Sequence, residues 1–200
     1  MKNLIIVFTR NPELGKVKTR LAASIGNENA LEIYKYLLNH TKNVLLQVIA
    51  EKYVFYSEEI SENDIWDTIF FQKKLQKGND LGEKMKNAFA EGFSAGFEKI
   101  VIVGSDMFDL ETSDIETAFG RLENNDVVIG PAADGGYYLL GLNYMITDLF
   151  ENKNWSTETV FEETINDIKN FKYSLLQTKN DIDTIDDITE ISIFQKYLKK

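Results

Sequence analysis

The chain has 200 residues, 44% of them hydrophobic and 27% charged, enough for one domain with a full core and too apolar for a disordered chain. It has no cysteine and one histidine, His40, which excludes disulfides, thiolate metal sites, iron–sulfur clusters, cysteine nucleophiles and multi-histidine zinc sites. A net charge of −10 disfavours a nucleic-acid binder. No apolar run approaches the roughly 18 residues of a membrane span, and the stretch Leu4–Phe8 is too short for a secretory signal, so a cytoplasmic protein is expected.

Residues 3–9 (NLIIVFT) are almost continuously apolar, which predicts a strand buried on both faces and hence a parallel sheet. A loop containing Pro12 and Gly15 follows. Ala30, Leu31, Tyr34, Leu37, Leu38, Thr41, Val44 and Val48 then recur at steps of three and four, the period of an amphipathic helix. Residues 52–56 and 68–72 read as short strands. Residues 81–93 read as a helix with Met85, Phe89 and Phe93 on one stripe, and residues 99–103 (KIVIV) as a second buried strand. Ser113-x-x-Glu116 has the form of a capping box and predicts a helix to about Glu123. Residues 126–129 give a third buried strand and residues 137–142 a β-prone segment. Gly135-Gly136 before the latter permits a tight antiparallel reversal. Val160, Phe161, Thr164, Ile165 and Ile168 mark another helix, and residues 186–197 a last one. Alternating strands and helices predict the α/β class with a mainly parallel sheet, as one domain over residues 1–200.

Several motifs fail on context. Gly92-Phe93-Ser94-Ala95-Gly96 matches G-x-S-x-G, but a helix precedes it and a strand follows, the reverse of a nucleophile elbow. Gly15-Lys16 lacks the upstream glycine and the following Ser/Thr of a Walker A loop. No G-x-G-x-x-G follows the first strand. His40, inside a helix and bordering its apolar face, suits a structural or surface role.

Four segments begin where a predicted strand ends, the position at which open α/β sheets bind ligands. Arg10, Lys16, Lys18 and Arg20 stand against Glu13 alone in the first loop. Cationic side chains, loop amides and a helix start together favour phosphate oxygens, against the plainer reading of a solvated basic face. Asp106 follows KIVIV. A carboxylate at the end of a buried strand is costly unless it is paired or holds a cation, so a site for phosphate and a divalent metal is expected there. Asp109 beside it reads equally as a turn residue. Asp134 with Gly135-Gly136 can orient a substrate hydroxyl, act as a base, or simply form an Asp-Gly turn. Asp181, Asp183, Asp186, Asp187 and Glu190 cluster near Lys179. They offer a second metal ligand, or, for Asp186 and Asp187, caps for the final helix.

Together these segments carry a resemblance. The blocks Phe8–Leu21 with Lys18-Thr19-Arg20-Leu21, Gln76–Met85, Gly104-Ser105-Asp106, Gly130–Leu142 with Asp134-Gly135-Gly136-Tyr137-Tyr138, Trp155-Ser156-Thr157 and Asp181–Thr184 resemble the bacterial glycosyltransferase-like family of the nucleotide-diphospho-sugar transferase (GT-A) superfamily. A looser kinship runs to guanylyltransferases acting on 2-phospholactate or on the molybdenum cofactor. The resemblance covers nearly the whole chain. It implies a single three-layer α/β/α domain with a twisted, mainly parallel sheet. It also implies a Mg²⁺- or Mn²⁺-dependent transferase using a nucleoside triphosphate or a sugar nucleotide, and moving a nucleotidyl or glycosyl group to a small acceptor.

On that resemblance Lys18 and Arg20, with Arg10 and Gly15 of the same loop, hold phosphates. Gln76, Asp80 and Gly82 lie near base or ribose, Gly135 and Gly136 approach the nucleotide, and Asp106 with Asp183 holds the metal. Asp106, Lys18 and Asp134 would be the catalytic set, with Asp134 the base of an inverting glycosyl transfer. Phe108 stands where the family usually has proline, so the turn beyond Asp106 is expected to be shaped differently. A non-catalytic nucleotide or sugar-nucleotide binder on the same fold is the alternative.

Overall fold

The computed structural model describes residues 2–198. Strand β1 (Asn3–Thr9) pairs in parallel with β2 (Glu51–Tyr56), which pairs in parallel with β3 (Gln72–Leu75). On its other side β1 pairs in parallel with β4 (Lys99–Val103). Beyond β4 come β5 (Val127–Pro131), β6 (Tyr137–Leu142) and β7 (Tyr173–Leu175). The sheet order is β3-β2-β1-β4-β6-β5-β7, with β6 antiparallel to both β4 and β5. The reversal expected at Gly135-Gly136 is therefore present, and every other pairing is parallel.

Successive side chains of β1 serve opposite faces. Ile5 and Val7 join one core with Tyr34 and Leu38 of α2 (Asn27–Gln47) and with Ile115, Ala118 and Phe119 of α4 (Thr112–Arg121). Leu4 and Ile6 join a second core with Met85 and Phe89 of α3 (Leu81–Ser94), packed also by Phe161 and Ile165 of α5 (Val160–Asp167). Each fully buried Ile or Leu contributes roughly 1.5–3 kcal/mol. These two cores make the three layers and explain why β1 and β4 are apolar on both sides. A third cluster joins Leu21 of α1 (Thr19–Ile25) and Ile33 of α2 to Ile182, Ile188 and Phe194 of the C-terminal segment.

Three local expectations are corrected, and one strand is added. The strand expected at 68–72 starts at Gln72, because the Asp67 side chain accepts from Ile69 N–H and its carbonyl accepts from Phe70 and Phe71 N–H, closing a turn that leaves Ile69 exposed. The capping box of α4 is formed by Glu111 and Asp114 rather than by Ser113 and Glu116. The final helix is two separate 3-10 turns, Asp186–Ile188 and Ser192–Tyr197. The short strand β7 carries no readable period, since only three residues pair with β5.

Candidate functional site

The carboxyl ends of β1, β4, β5 and β7 open on one edge of the sheet, and the four loops singled out in the sequence meet there. The first is pinned before it reaches the site. Buried Asn11 takes N–H groups of Glu58 and Glu59 on its Oδ1 and donates from Nδ2 to the Glu59 carbonyl at 2.8 Å, tying residues 10–12 to the end of β2. Lys18 then takes a left-handed conformation (φ 48°) as the residue before α1, a sparsely populated state for a side-chain-bearing residue. Its side chain is 5% exposed. Its ammonium lies 2.8 Å from Asp106 Oδ2 and 3.9 Å from Asp183 Oδ1, and Arg20 Nη2 lies 2.9 Å from Asp183 Oδ2.

Backbone pairing brings the C-terminal acids to this point. Residues 179–182 run between the turn after β5 and the loop after β4: Ala133 N–H donates to the Lys179 carbonyl at 2.9 Å, and Met107 forms an antiparallel bridge with Asp181. Asp187 shapes the bend, accepting from Thr184 N–H at 2.6 Å, Thr184 Oγ1 at 2.8 Å, Asp183 N–H at 3.0 Å and Asn180 at 2.8 Å. Burial opposes charge on Asp187, but those hydrogen bonds prevail and hold its carboxyl below the ordinary carboxylate value. Asp187 thus ties down the bend before it, through donors at 180–184, instead of capping a final helix, and the turn Asp186–Ile188 has no side-chain cap.

Electrostatics divide the cluster. Burial disfavours charge on Lys18, but Asp106, then Asp181 and Asp183, more than offset it and raise its pKa, so the ammonium stays protonated. Burial and the neighbouring Asp106 push the Asp181 carboxyl up to about 6, with Lys18 opposing and Asp134 and Asp183 adding to the rise. Nothing in the sequence separates Asp181 from the other acids of its segment. Only the tertiary pairing with Met107 reveals it as a wall of the site.

A cleft of about 460 Å³ lies beside the cluster, within the size range of small-molecule sites. Arg20, Asp106 and Asp181 line it, together with Asp134, Gly136, Tyr137 and Trp155. Asp134 Oδ1 accepts from Gly136 N–H at 2.9 Å, the Asx turn considered above, while the residue still faces the cleft. Gly135 (φ +88°) packs on the start of α5, where an added Cβ would come within 2.1 Å of the Glu158 carbonyl oxygen. Gly82 makes room for Trp155, whose indole would lie 2.2 Å from a Cβ at that position.

Other candidates stand elsewhere. Gln76 donates through Nε2 to the Phe55 carbonyl at 3.0 Å and the Thr9 carbonyl at 3.3 Å, bracing the ends of β2 and β1. Asp80 caps α3 by accepting from Glu83 N–H at 2.8 Å. Gly15 (φ +76°) forms the turn of the first loop. Lys16 pairs with Glu13 and Glu58 at the surface. Arg10 is exposed, and its backbone is held by Tyr34, whose hydroxyl accepts from Arg10 N–H at 3.0 Å and donates to its carbonyl at 3.1 Å. Phe108 stacks with Tyr36 and His40 and meets Phe194 edge-on, so an aromatic cluster holds the turn beyond Asp106. His40 is structural: Nε2 donates to the Leu110 carbonyl at 2.9 Å.

Among the described residues no group of three or more His, Cys, Asp or Glu side chains converges on a point that could hold a metal ion. Two hard carboxylate donors, Asp106 and Asp183, do both face the Lys18 ammonium, and Arg20 pairs with the second. No helix of the described residues is long and apolar enough to cross a membrane.

The structure is similar to that of a protein from Desulfovibrio desulfuricans G20 provisionally described as a nucleotide-diphospho-sugar transferase, with a TM-score of 0.88 and 28% identity over 99% of this chain and 94% of that one. It shares its fold with the inositol-1-phosphate CTP transferase of T. maritima (TM-score 0.61, 12% identity, 98% and 95% of the two chains). The fold also recurs in 4-diphosphocytidyl-2C-methyl-D-erythritol synthase from Anaerococcus prevotii DSM 20548 (TM-score 0.57, 10% identity, 98% of each chain). The fold is therefore that of the nucleotide-diphospho-sugar transferases. A profile of the family described as an uncharacterized protein conserved in bacteria (DUF2064) matches residues 41–157, more than half of the chain, and the chain belongs to that family.

Proposed function

We propose that the protein is a nucleotide-dependent transferase that moves a glycosyl or a nucleotidyl group to a small acceptor. One observation carries the reading: a buried Lys18 ammonium, with Arg20 beside it, meets Asp106 and Asp183 next to a cleft, lined by Arg20 and Asp106, on the carboxyl edge of the sheet. The likeness to a provisionally described nucleotide-diphospho-sugar transferase at 28% identity supports it.

Lys18 and Arg20 would hold nucleotide phosphates, because cations at this point neutralise the charge that accumulates on a leaving phosphate. Lys18 is suited to this by its burial, which strengthens each electrostatic contact. Asp106 and Asp183 would hold Mg²⁺ or Mn²⁺. Such ions use one or two protein carboxylates and take their other ligands from phosphates and water, so a two-carboxylate donor set fits. When bound, the metal supplies Lewis-acid stabilisation of phosphate oxygens. Asp134, one oxygen of which is engaged by Gly136 N–H, would accept the proton of an acceptor hydroxyl on the other. Gly136 would let the nucleotide approach the backbone.

The test is a thermal-shift panel of the four nucleoside triphosphates and of UDP- and GDP-sugars, with Mg²⁺ or Mn²⁺, on wild type and Asp106→Ala. A ligand at 100 times its Kd adds about 2.7 kcal/mol. A metal-dependent shift confined to wild type is expected. Triphosphates alone would mark nucleotidyl transfer and sugar nucleotides alone glycosyl transfer. No shift with any ligand would overturn the reading.

A further inference from the structure

The cleft wall away from Lys18 has its own character. Trp155 is half-buried with its indole seated on Gly82 at the start of α3, and it lines the cleft with Tyr137 and Leu81. Asp134 and Glu158 flank this aromatic wall. Glu158 forms no ion pair among the described residues, and Asp134 keeps one carboxylate oxygen beyond its bond to Gly136. Arg20 supplies the cleft's sole basic side chain among the described residues, and Asp183 already engages it at 2.9 Å.

An anionic group on this wall would meet two carboxylates and no cation, an arrangement that costs binding through repulsion and unpaired charge. A ring bearing hydroxyls would instead lay its C–H face on the indole and donate O–H bonds to Asp134 and Glu158, whose ionised oxygens are strong acceptors. We infer that this wall is a binding subsite for an uncharged, polyhydroxylated compound of monosaccharide size, and that it rejects the phosphorylated form of the same compound. That this compound is the acceptor of group transfer rests on the transferase reading above; that it binds does not.

The chain has two tryptophans, Trp155 at the cleft and Trp66, fully buried. Wild-type protein labelled with 5-fluorotryptophan therefore gives two ¹⁹F signals, assigned with Trp155→Phe. The protein is titrated with glucose, N-acetylglucosamine, their 1- and 6-phosphates and free nucleosides, each with and without Mg²⁺ and nucleotide. A neutral sugar is expected to shift the Trp155 signal saturably and leave Trp66 in place. Its phosphates should bind at least tenfold more weakly, and Asp134→Asn with Glu158→Gln should close that gap. Equal or tighter binding of a phosphate, a Trp155 shift with nucleosides alone, or no shift with any sugar would each overturn the subsite. A neutral sugar that shifts Trp155 in a protein that no Mg²⁺–nucleotide stabilises would uphold the subsite and refute the transferase reading. Nucleotide stabilisation without any sugar shift would do the reverse.

Discussion

The Lys18 ammonium stands 2.8 Å from Asp106 and 3.9 Å from Asp183, so it faces both carboxylates, while Arg20 also holds Asp183 at 2.9 Å. A divalent metal arriving alone meets that ammonium, and a triphosphate arriving alone meets the acids. Each removes the other's obstacle, because phosphate draws Lys18 away from Asp106 and metal neutralises Asp106. Metal and triphosphate should therefore bind with positive coupling, each tightening the other by the same factor. Lys18→Ala should weaken triphosphate binding roughly ten- to hundredfold, the worth of a charge-assisted hydrogen bond. The same change should tighten binding of Mn²⁺ alone. Isothermal titration of metal, nucleotide and both together on the two proteins checks this. Weaker metal binding in Lys18→Ala would show that Lys18 does not compete for the carboxylates.

Tyr34 couples two of the loops that build the site. Its buried hydroxyl exchanges hydrogen bonds with the Arg10 backbone and lies 3.3 Å from Ser105 Oγ, the neighbour of Asp106. Tyr34→Phe leaves Arg10 N–H and the Ser105 hydroxyl short of a partner, a loss of about 1–3 kcal/mol. Urea denaturation should register that loss. Because Arg10 leads into the loop that carries Lys18, triphosphate affinity should fall while affinity for the nucleoside stays. Equal loss of both would reduce Tyr34 to a purely structural group.

The parts of this architecture that the sequence displays are those governed by local patterning. The NLIIVFT and KIVIV runs are β1 and β4 because strands buried on both faces must be apolar throughout. The period of α2 is visible because one of its faces meets the sheet. Asp106 is legible because charge at the end of a buried strand demands a partner, Lys18 and Arg20 because cations gather in one loop at a helix start, and Asp183 because acids crowd its segment; the structure brings these four together. Asp181, Glu158 and Trp155 enter the cleft through tertiary events instead: the Met107 bridge, the seat of Gly135 on residue 158, and a glycine in α3. Gln76 and Asp80 hold a strand edge and a helix start, roles that a motif shared with a family does not separate from ligand contact. Ile69 and Phe70 mislead because their apolarity imitates a strand while Asp67 closes a turn around them.

Gly135 and Gly136 are adjacent, yet only the first is structurally indispensable. Gly135 has φ +88° and an added Cβ would lie 2.1 Å from the Glu158 carbonyl oxygen, whereas at Gly136 the nearest contact is Asp134 Oδ1 at 3.2 Å. Left-handed geometry alone costs a side-chain-bearing residue roughly 1–2 kcal/mol, and the backbone clash adds to it. Gly135→Ala should lose at least about 2 kcal/mol of stability. Gly136→Ala should fold with a loss below about 1 kcal/mol and act on ligand binding instead. Denaturation of the two variants, with nucleotide titration of the second, separates the roles. A Gly135→Ala protein as stable as wild type would mean that the start of α5 shifts freely, and with it Glu158.

Asp181 gives the site a pH signature in stability. Burial and Asp106 push its carboxyl up to about 6, from an ordinary value of 3.8. The folded protein thus holds this proton more tightly than the unfolded chain. The stabilisation is fully present below the unfolded value and is lost as pH rises through about 6. Above that, the charged carboxylate burdens the fold. Asp181→Asn removes the burden, so the variant should match wild type near the acid end and exceed it at neutral pH by about 1–2 kcal/mol, after allowance for solvent screening. Urea denaturation of both proteins from about pH 3.5 to 7.5 measures the gap, which should widen with rising pH. A gap of constant size would mean that the carboxyl titrates at its ordinary value, and so that Lys18 fully offsets both the burial of Asp181 and the charge of Asp106.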